Sequence, residues 1–285
     1  MWEAGRRETA IMKQTSTKEI FFHVGLAKTG TTFLQYRVFP KFQGIRYIQR
    51  TKYRRAIRII RKSRDPRIFL SNEFDLQFET EMKKFGAAFP DTTPIIVFRR
   101  QDSYIASQYR RFVKNGFRGS FKDFFDLEHD KGFFKKRDLE FMRYIRILEE
   151  NYRPRPIVMF YDHLRDDPKG FVTELAERMK VSIDLESVDF RRKHSSYSEK
   201  QLKTVMAVGK YINLKKKTSC HNLIARFFCR LPQNLVRYPT LWIGKALPAS
   251  WFDEAPLIPP GELEKVREYF KEDWEACREY AKRSV

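Results

Sequence analysis

A loop of small residues carrying a lysine follows an apolar run near the start of the chain. The run FFHVGLAKTGTT, residues 21–32, leads into Gly25 and Gly30, with Lys28 between them. Its apolar part predicts a buried strand, and residues 33–38 predict a helix. A loop in this setting directs backbone N–H groups and the positive end of the helix dipole into one pocket. The sequence therefore predicts a binding site for a phosphate-like anion in this loop.

The loop differs from the P-loop of nucleoside triphosphate enzymes, G-x-x-x-x-G-K-[ST]. Gly25 and Gly30 have the required separation, but Thr31 stands where the lysine is expected, and Lys28 precedes Gly30 by two residues. This disfavours a magnesium-dependent triphosphate site. A P-loop-like kinase stays an alternative. Another is a structural turn in which Gly30 supplies a permissive backbone and Thr31 or Thr32 caps the helix.

A second segment with anion-binding chemistry lies further along the chain. Residues 94–100 read as a short buried strand that ends in two arginines, and residues 102–112 continue as a helix. Ligands of open α/β sheets bind at the carboxyl ends of the strands. Arg99 as a charged fork and Ser107, two helical turns later, can hold one phosphate together. Two such sites on neighbouring strands imply a ligand with two separated phosphates.

These two motifs resemble those of the sulfotransferases that use 3'-phosphoadenosine 5'-phosphosulfate (PAPS), most closely the bacterial and carbohydrate-type branch. The resemblance implies that the first loop holds the 5'-phosphosulfate through Lys28, Thr29, Gly30, Thr31 and Thr32. It implies that Arg99 and Ser107 hold the 3'-phosphate. Adenosine 3',5'-bisphosphate is then the product, and the scheme requires no metal.

Three weaker similarities extend the resemblance to about residues 20–280. Residues 158–168 are similar to the family's strand ending in Tyr-Glu-Asp-Leu, and residues 269–274 resemble the start of its terminal helix. Residues 191–198 are similar to a basic Asn-x-Ser element that closes over the nucleotide. The last similarity implies that Ser196 contacts the nucleotide, with His194 in place of the asparagine.

Transfer of a sulfuryl group needs a base that takes the proton from the acceptor hydroxyl. Glu73 ends the predicted strand 67–73, and carbohydrate-type sulfotransferases have a catalytic glutamate after this strand. A general base contributes on the order of 10²- to 10⁴-fold. Lys28 is the second catalytic candidate, because it neutralises charge on the departing oxygen. The alternative for Glu73 is a turn cap or an ion pair with one of the many arginines.

Histidine is the competing base. His23 lies inside the first predicted strand, where packing or a hydrogen bond in the core is the expected role. His163 also ends a predicted strand, but the resemblance implies no catalytic role at its position. His129 and His194 lie in polar stretches with no evident partner, so Glu73 stays the first candidate.

Length and composition favour one large domain. The chain has 285 residues, 42% of them hydrophobic, which suffices for a sizeable core. Its three cysteines have no metal-ligand spacing, and no apolar run approaches the roughly 18 residues of a membrane span. We expect a flexible extension at residues 1–18, one domain at 19–285, and a lid or an acceptor- or membrane-facing arm at 210–260. We also expect a soluble, cytoplasmic protein, associated with the inner face of the membrane where it contacts lipid.

The formal net charge of +21 predicts an anionic partner. Basic residues concentrate at 50–64, an expected amphipathic helix, and at 210–230, where aromatic and aliphatic residues alternate with them. Such surfaces suit an anionic or lipid-linked glycan acceptor or an anionic membrane. A solvated basic face is the simpler interpretation. A basic nucleic-acid-binding protein is a further alternative, but no recognised binding module supports it, and it leaves the anion loop unexplained.

The order of elements predicts an α/β protein with a P-loop-like, three-layer fold, in which helices cover both faces of a mostly parallel sheet. The predicted strands are 20–26, 68–71, 95–98 and 157–161. The predicted helices are 53–62, 104–113, 139–151, 170–180 and a long terminal helix at 261–282. Residues 232–260 are expected to be irregular.

Overall fold

A parallel β-sheet forms the centre of the protein. The computed structural model describes residues 18–191, 197–214 and 223–283, and five strands within them form one sheet with the order β2-β3-β1-β4-β5. All four neighbouring pairs are parallel. The strands are β1 (Glu19–Gly25), β2 (Arg46–Ile48), β3 (Arg67–Ser71), β4 (Thr92–Phe98) and β5 (Ile157–Phe160).

Helices connect and cover these strands. The α-helices are α1 (Thr31–Phe33), α2 (Ala56–Lys62), α3 (Phe78–Ala88), α4 (Gln101–Lys114), α5 (Phe121–Phe124), α6 (Phe141–Asn151), α7 (Tyr161–Asp166), α8 (Pro168–Arg178), α9 (Glu199–Tyr211), α10 (Leu223–Ala246), α11 (Glu262–Tyr269) and α12 (Lys271–Lys282). A π-helical stretch (Leu34–Val38) continues α1, and 3-10 turns lie at Phe39–Lys41, Arg50–Arg55, Lys136–Asp138, Leu185–Ser187 and Ala249–Trp251.

Alternating apolar residues of the strands supply two cores. On β1, Phe22 and Val24 face a core shared with α2, α3, α6 and α12, while Phe21 faces one shared with α8 and the helical segment 31–41. Strand residues point alternately to the two faces of a sheet, so a strand that is apolar at every position is buried on both faces. This confirms the predicted three-layer α/β fold.

One strand was missing from the sequence prediction. The predicted strands correspond to β1, β3, β4 and β5, whereas β2 has only three residues and begins with the exposed Arg46. It lies at the edge of the sheet next to β3. A short, half-exposed edge strand has no apolar run long enough to identify it.

The prediction of one continuous terminal helix over residues 261–282 is wrong. Gly261 precedes α11, and Phe270 separates α11 from α12 with φ −100° and ψ 13°. Phe270 packs with α4, while Cys277 of α12 packs in the core beneath the sheet. The break lets the two halves bury their apolar residues in different cores.

The predicted irregular segment 232–260 is also wrong in its first half, because α10 continues to Ala246 through Pro232 and Pro239. Helix α9 packs along α10 and stabilises it. Gln201 Nε2 donates to Leu241 O at 2.9 Å, and Lys200 Nζ donates to Leu247 O at 2.7 Å beyond the helix end. Tertiary packing thus outweighs the helix-breaking tendency of proline.

Among the helices of these ranges, none combines the length and the apolar character that crossing a membrane requires.

Candidate anion-binding site

The loop after β1 lies at the carboxyl edge of the sheet, between β3 and β4. Its backbone has positive φ at Gly25 (+117°), Lys28 (+70°) and Gly30 (+79°). Leu26 N donates to Val97 O of β4 at 3.3 Å and ties the loop to the sheet, and Phe33 N donates to Gly30 O at 2.9 Å where the helical segment begins. These conformations curl the loop at the start of the helical segment, as the sequence predicts for an anion cradle.

Gly25 allows the chain after β3 to approach the loop. A Cβ atom at Gly25 would lie 3.2 Å from Phe74 N and 3.5 Å from Glu73 Cα. The two segments are also bonded, because Asn72 N donates to His23 O at 2.9 Å and Phe74 N donates to Val24 O at 3.3 Å. The backbone of Glu73 therefore lies directly beside the loop.

Gly30 allows the loop to contact α7. A Cβ atom there would lie 2.4 Å from Leu164 Cδ2 and 3.6 Å from Tyr161 Cδ2. The two glycines thus fix the loop on two sides, one against the segment after β3 and the other against α7.

Arg99 joins the end of β4 to this loop. Its Nη1 donates to Lys28 O at 3.3 Å, its Nε donates to Ser103 Oγ at 2.5 Å, and its guanidinium lies 4.7 Å from the centre of the Tyr161 ring. These three contacts orient the guanidinium at the rim of the loop. The two cationic residues that the sequence assigned to separate strands are therefore neighbours.

The electrostatics of the loop favour an anion. The Lys28 side chain is solvent-accessible, yet partial desolvation by surrounding protein atoms lowers its pKa, and the charges of Arg111, Lys114 and Arg99 lower it further. The carboxylate of Glu73 acts in the opposite direction. Desolvation also lowers the pKa of Arg99. Clustered cations repel one another, so an anion bound among them relieves the repulsion.

The three threonines of the loop have different surroundings. Thr29 is buried, and its hydroxyl donates to Leu26 O at 2.6 Å, so this side chain stabilises the loop itself. Thr31 is buried at the start of α1, whereas Thr32 is exposed. Of the three hydroxyls, that of Thr32 is open to solvent.

The serine bonded to Arg99 is Ser103, which the sequence analysis did not identify. Ser107 lies one turn further along α4 and is half-buried; within the described residues it makes no hydrogen bond with Arg99. Ser103, Ser107 and Arg111 follow Arg99 at intervals of four residues and share one face of α4. That spacing is the signal by which Ser103 could have been found. Ser196 lies outside the described residues.

Glu73 forms an ion pair at the edge of the site. Arg50 Nη1 donates to Glu73 Oε1 at 3.0 Å, and the arginine is the more exposed partner. Pairing with an arginine was the alternative considered for this glutamate, and the pair is present. Two residues later, Asp75 binds α4, because its Oδ2 accepts from Arg111 Nη2 at 2.7 Å and its Oδ1 accepts from Gln108 Nε2 at 3.1 Å.

A buried polar network lies beneath the loop. His23 Nδ1 is 2.9 Å from Ser71 Oγ, which accepts from Gln35 Nε2 at 2.8 Å. Burial lowers the pKa of His23 to about 3, so the ring is neutral near pH 7. Because Gln35 already donates to Ser71 Oγ, the serine hydroxyl is free to donate to Nδ1. His23 is therefore a core histidine, as expected, and a poor general base.

The positive charge continues along α4 away from the loop. Lys114 Nζ lies 5.3 Å from the centre of the Tyr197 ring. Desolvation lowers the pKa of Lys114, and the charges of Arg237 and Arg111 lower it further. A series of cations thus leads from Lys28 past Arg111 and Lys114 towards α10.

Comparison with known proteins identifies the fold. No protein-family model matches the chain, and no protein of curated function matches it. The structure is similar to a sulfotransferase from Alicyclobacillus acidocaldarius, with 16% identity and a TM-score of 0.50, over 67% of this chain and 92% of that one. Mouse sulfotransferase SULT7A1 complexed with PAP matches over 90% of this chain and 89% of its own, with 10% identity and a TM-score of 0.37. The chain therefore shares its α/β fold with the bacterial sulfotransferase.

Proposed function

We propose that this protein is a PAPS-dependent sulfotransferase that acts on an acceptor hydroxyl. The observation that carries the proposal is the contact between Arg99 and Lys28 O, which brings cations from β4 and the loop after β1 to one edge of the sheet. A nucleotide with two separated phosphates needs this arrangement of charges. The fold shared with a bacterial sulfotransferase adds support.

The residues of the site fit such a donor. The curled loop, with a glycine at each side and Lys28 at its tip, suits the 5'-phosphosulfate. Arg99 with Ser107, and with Ser103 as its orienting partner, suits the 3'-phosphate. Backbone N–H groups of residues 29–32 would contribute to the first subsite, and Ser196 would add a contact to the nucleotide.

We assign the proton transfer to Glu73 and the charge stabilisation to Lys28. As the acceptor oxygen forms its bond to sulfur, Glu73 takes the hydroxyl proton. The bond between sulfur and the bridging oxygen breaks, and its electron pair leaves with adenosine 3',5'-bisphosphate. Lys28 stabilises the charge that develops on that oxygen. Arg50 keeps the Glu73 carboxylate oriented through their ion pair.

We further propose that the acceptor is a glycan or a lipid-linked glycan carrying negative charge. The net charge of +21 and the cations that continue from Lys28 to Arg111 and Lys114 support an anionic acceptor. Such an acceptor would present a hydroxyl beside Glu73 while its anionic groups contact α4.

Binding of the expected product tests the donor site. Calorimetry with adenosine 3',5'-bisphosphate in EDTA should give micromolar affinity, and Lys28→Ala and Arg99→Ala should each weaken it about 10- to 100-fold, since each removes a charge-assisted hydrogen bond. Arg153→Ala is the control for lost charge, because Arg153 pairs with Asp91 at the opposite edge of the sheet. Absence of binding would overturn the sulfotransferase proposal and leave the structural turn or the kinase as alternatives, and a preference for ATP with magnesium would favour the P-loop-like kinase.

Turnover tests the proposed base. With labelled PAPS and a panel containing a neutral glycan, an anionic glycan and a phenol, Glu73→Gln should lower the rate about 10²- to 10⁴-fold. Its affinity for adenosine 3',5'-bisphosphate should stay at the wild-type value. Glu186→Gln, an exposed carboxylate, is the control. Equal rates for Glu73→Gln and wild type would mean that Glu73 is not the base and has only a structural role as the partner of Arg50.

A further inference from the structure

Helix α10 presents a continuous apolar face to solvent. Leu235, Tyr238 and Trp242 are spaced by three and four residues, so they lie on one side of the helix, and their exposed fractions are 64%, 54% and 78%. Ile243 and, just beyond the helix, Trp251 are also exposed. We call Leu235, Tyr238, Trp242 and Ile243 the α10 face. An apolar patch with two large aromatic rings is unusual on a surface that contacts only water.

The side of α10 that packs against the protein carries polar residues. Arg237 is 1% exposed and donates through Nη2 to Leu214 O, and Thr240 is also buried. At Gly244 a Cβ atom would lie 2.6 Å from Thr204 Oγ1 of α9, so the two helices are in close contact there. Leu241 supplies the apolar contact on this side. A helix in water normally buries its apolar side and exposes its polar one, whereas this half of α10 buries Arg237 and Thr240 and exposes several large apolar side chains.

The sequence segment that contains α10 carries charges of a single sign. Residues 200–252 contain ten lysines and arginines and no aspartate or glutamate. Lys210 and Lys245 are exposed, and Lys245 lies in the last turn of α10, next to the apolar face. A segment of this length without an acidic residue creates a positive potential that attracts an anionic surface.

We propose that the α10 face binds the surface of an anionic phospholipid bilayer, with the helix lying in the plane of the membrane. Trp242 and Tyr238 enter the headgroup region, Leu235 and Ile243 contact the acyl boundary, and Lys210 and Lys245 bind lipid phosphates. Nucleic acids and glycans offer the same negative charge, but they offer no apolar layer for Leu235 and Ile243. This proposal does not depend on sulfuryl transfer.

Vesicle sedimentation tests the proposal. The full chain should sediment with vesicles of phosphatidylcholine and about 30% phosphatidylglycerol, bind poorly to phosphatidylcholine alone, and dissociate as salt is raised. Leu235→Ser with Tyr238→Ser should weaken binding at least about tenfold. The tryptophan emission should shift to the blue on binding, and Trp242→Phe should make that shift smaller, with Trp251 accounting for what is left.

The matched control replaces a leucine and a tyrosine of similar exposure that lie outside the α10 face. Leu76 and Tyr269 are 50% and 56% exposed, and Leu76→Ser with Tyr269→Ser should bind vesicles like wild type. Thermal unfolding of both double variants checks that they fold. Equal loss in both variants, binding to heparin or DNA with no binding to vesicles, or a dimer that the α10 substitutions dissociate would each overturn the proposal.

Discussion

Gly30 and Gly44 have nearly the same backbone φ angle in different surroundings. Their φ angles are +79° and +75°, but a Cβ atom at Gly44 meets nothing within 4 Å, whereas one at Gly30 lies 2.4 Å from Leu164 Cδ2. Substitutions at these two glycines therefore separate two contributions to the free energy of unfolding. One is the cost of placing a side chain on a left-handed backbone, and the other is the cost of the steric clash with a close neighbour. For the site, only the approach at Gly30 matters, since it fixes the loop against α7.

We expect Gly44→Ala to lower the free energy of unfolding by about 1 kcal/mol, the cost of the left-handed backbone alone. Gly30→Ala adds about 1–3 kcal/mol because Leu164 has to move. Urea denaturation of both variants measures the difference. Equal losses would mean that Leu164 yields to the methyl group at no cost.

We expect His23 to make the stability of the protein depend on pH. The unfolded chain takes up a proton near the ordinary pKa of 6.5, whereas the folded chain resists protonation down to a pKa of about 3. The contribution of neutral His23 to the free energy of unfolding is therefore complete above pH 6.5. It is lost as pH falls below that value, with a slope of up to about 1.4 kcal/mol per pH unit.

Replacement by asparagine should remove this slope. His23→Asn keeps a polar group towards Ser71 but cannot be protonated, so its unfolding free energy should fall less steeply than that of wild type between pH 6.5 and 5. Urea denaturation at several pH values measures both slopes. Parallel curves would show that His23 does not cause the dependence.

At the scale of elements, α12 determines where α6 begins. Asp273 accepts hydrogen bonds from Phe141 N at 2.8 Å and Met142 N at 3.1 Å, the first two N–H groups of α6, and from Gln101 Nε2 at 2.8 Å. The N–H groups of Phe141 and Met142, in the first turn of α6, have no acceptor within their own helix. One side chain thereby ties together α4, α6 and α12, although burial raises its pKa.

Asp273→Ala should lower the free energy of unfolding by about 2–3 kcal/mol, because it removes the acceptor of the Phe141 and Met142 N–H groups and leaves Gln101 Nε2 with only its bond to Leu139 O. The exposed Glu275, two residues further along the same helix, is the control, and Glu275→Ala should change stability by less than about 0.5 kcal/mol. Chemical denaturation compares them. A small effect of Asp273→Ala would indicate that water replaces the carboxylate.

At the scale of the whole molecule, basic residues outnumber acidic ones by 57 to 36. The acidic residues form many surface ion pairs, such as Arg46 with Asp65 and Arg153 with Asp91. Exposed pairs contribute about 0–1 kcal/mol each. Repulsion among the excess cations opposes folding and is screened by salt as well.

We expect repulsion to dominate, so that raising sodium chloride from low to moderate concentration increases the melting temperature at pH 7. The effect should shrink near pH 9.5, close to the sequence pI of about 9.9, because the net charge is then small. Differential scanning calorimetry at the two pH values measures this. A melting temperature that decreases with salt at pH 7 would mean that the ion pairs dominate.

The central part of the fold could be predicted because its signals are local. The runs that became β1, β3, β4 and β5 are short and apolar at successive positions, which is typical of strands covered on both faces. Glycine and threonine after β1, and arginine after β4, mark where those strands end. Parallel strands end at the same edge, so the sequence also predicted that Lys28 and Arg99 would be near each other.

The sequence by itself thus determined β1, β3, β4 and β5, the edge of the sheet at which the candidate anion-binding site lies, and the basic composition of the chain. The tertiary structure decided which groups meet: Arg99 with Ser103, Glu73 with Arg50, and His23 with Ser71 and Gln35. It also decided that α10 passes through two prolines with its apolar side outward. Periodicity and turn residues act over a few positions, whereas these contacts join residues from separate elements whose distances are set only when the layers pack.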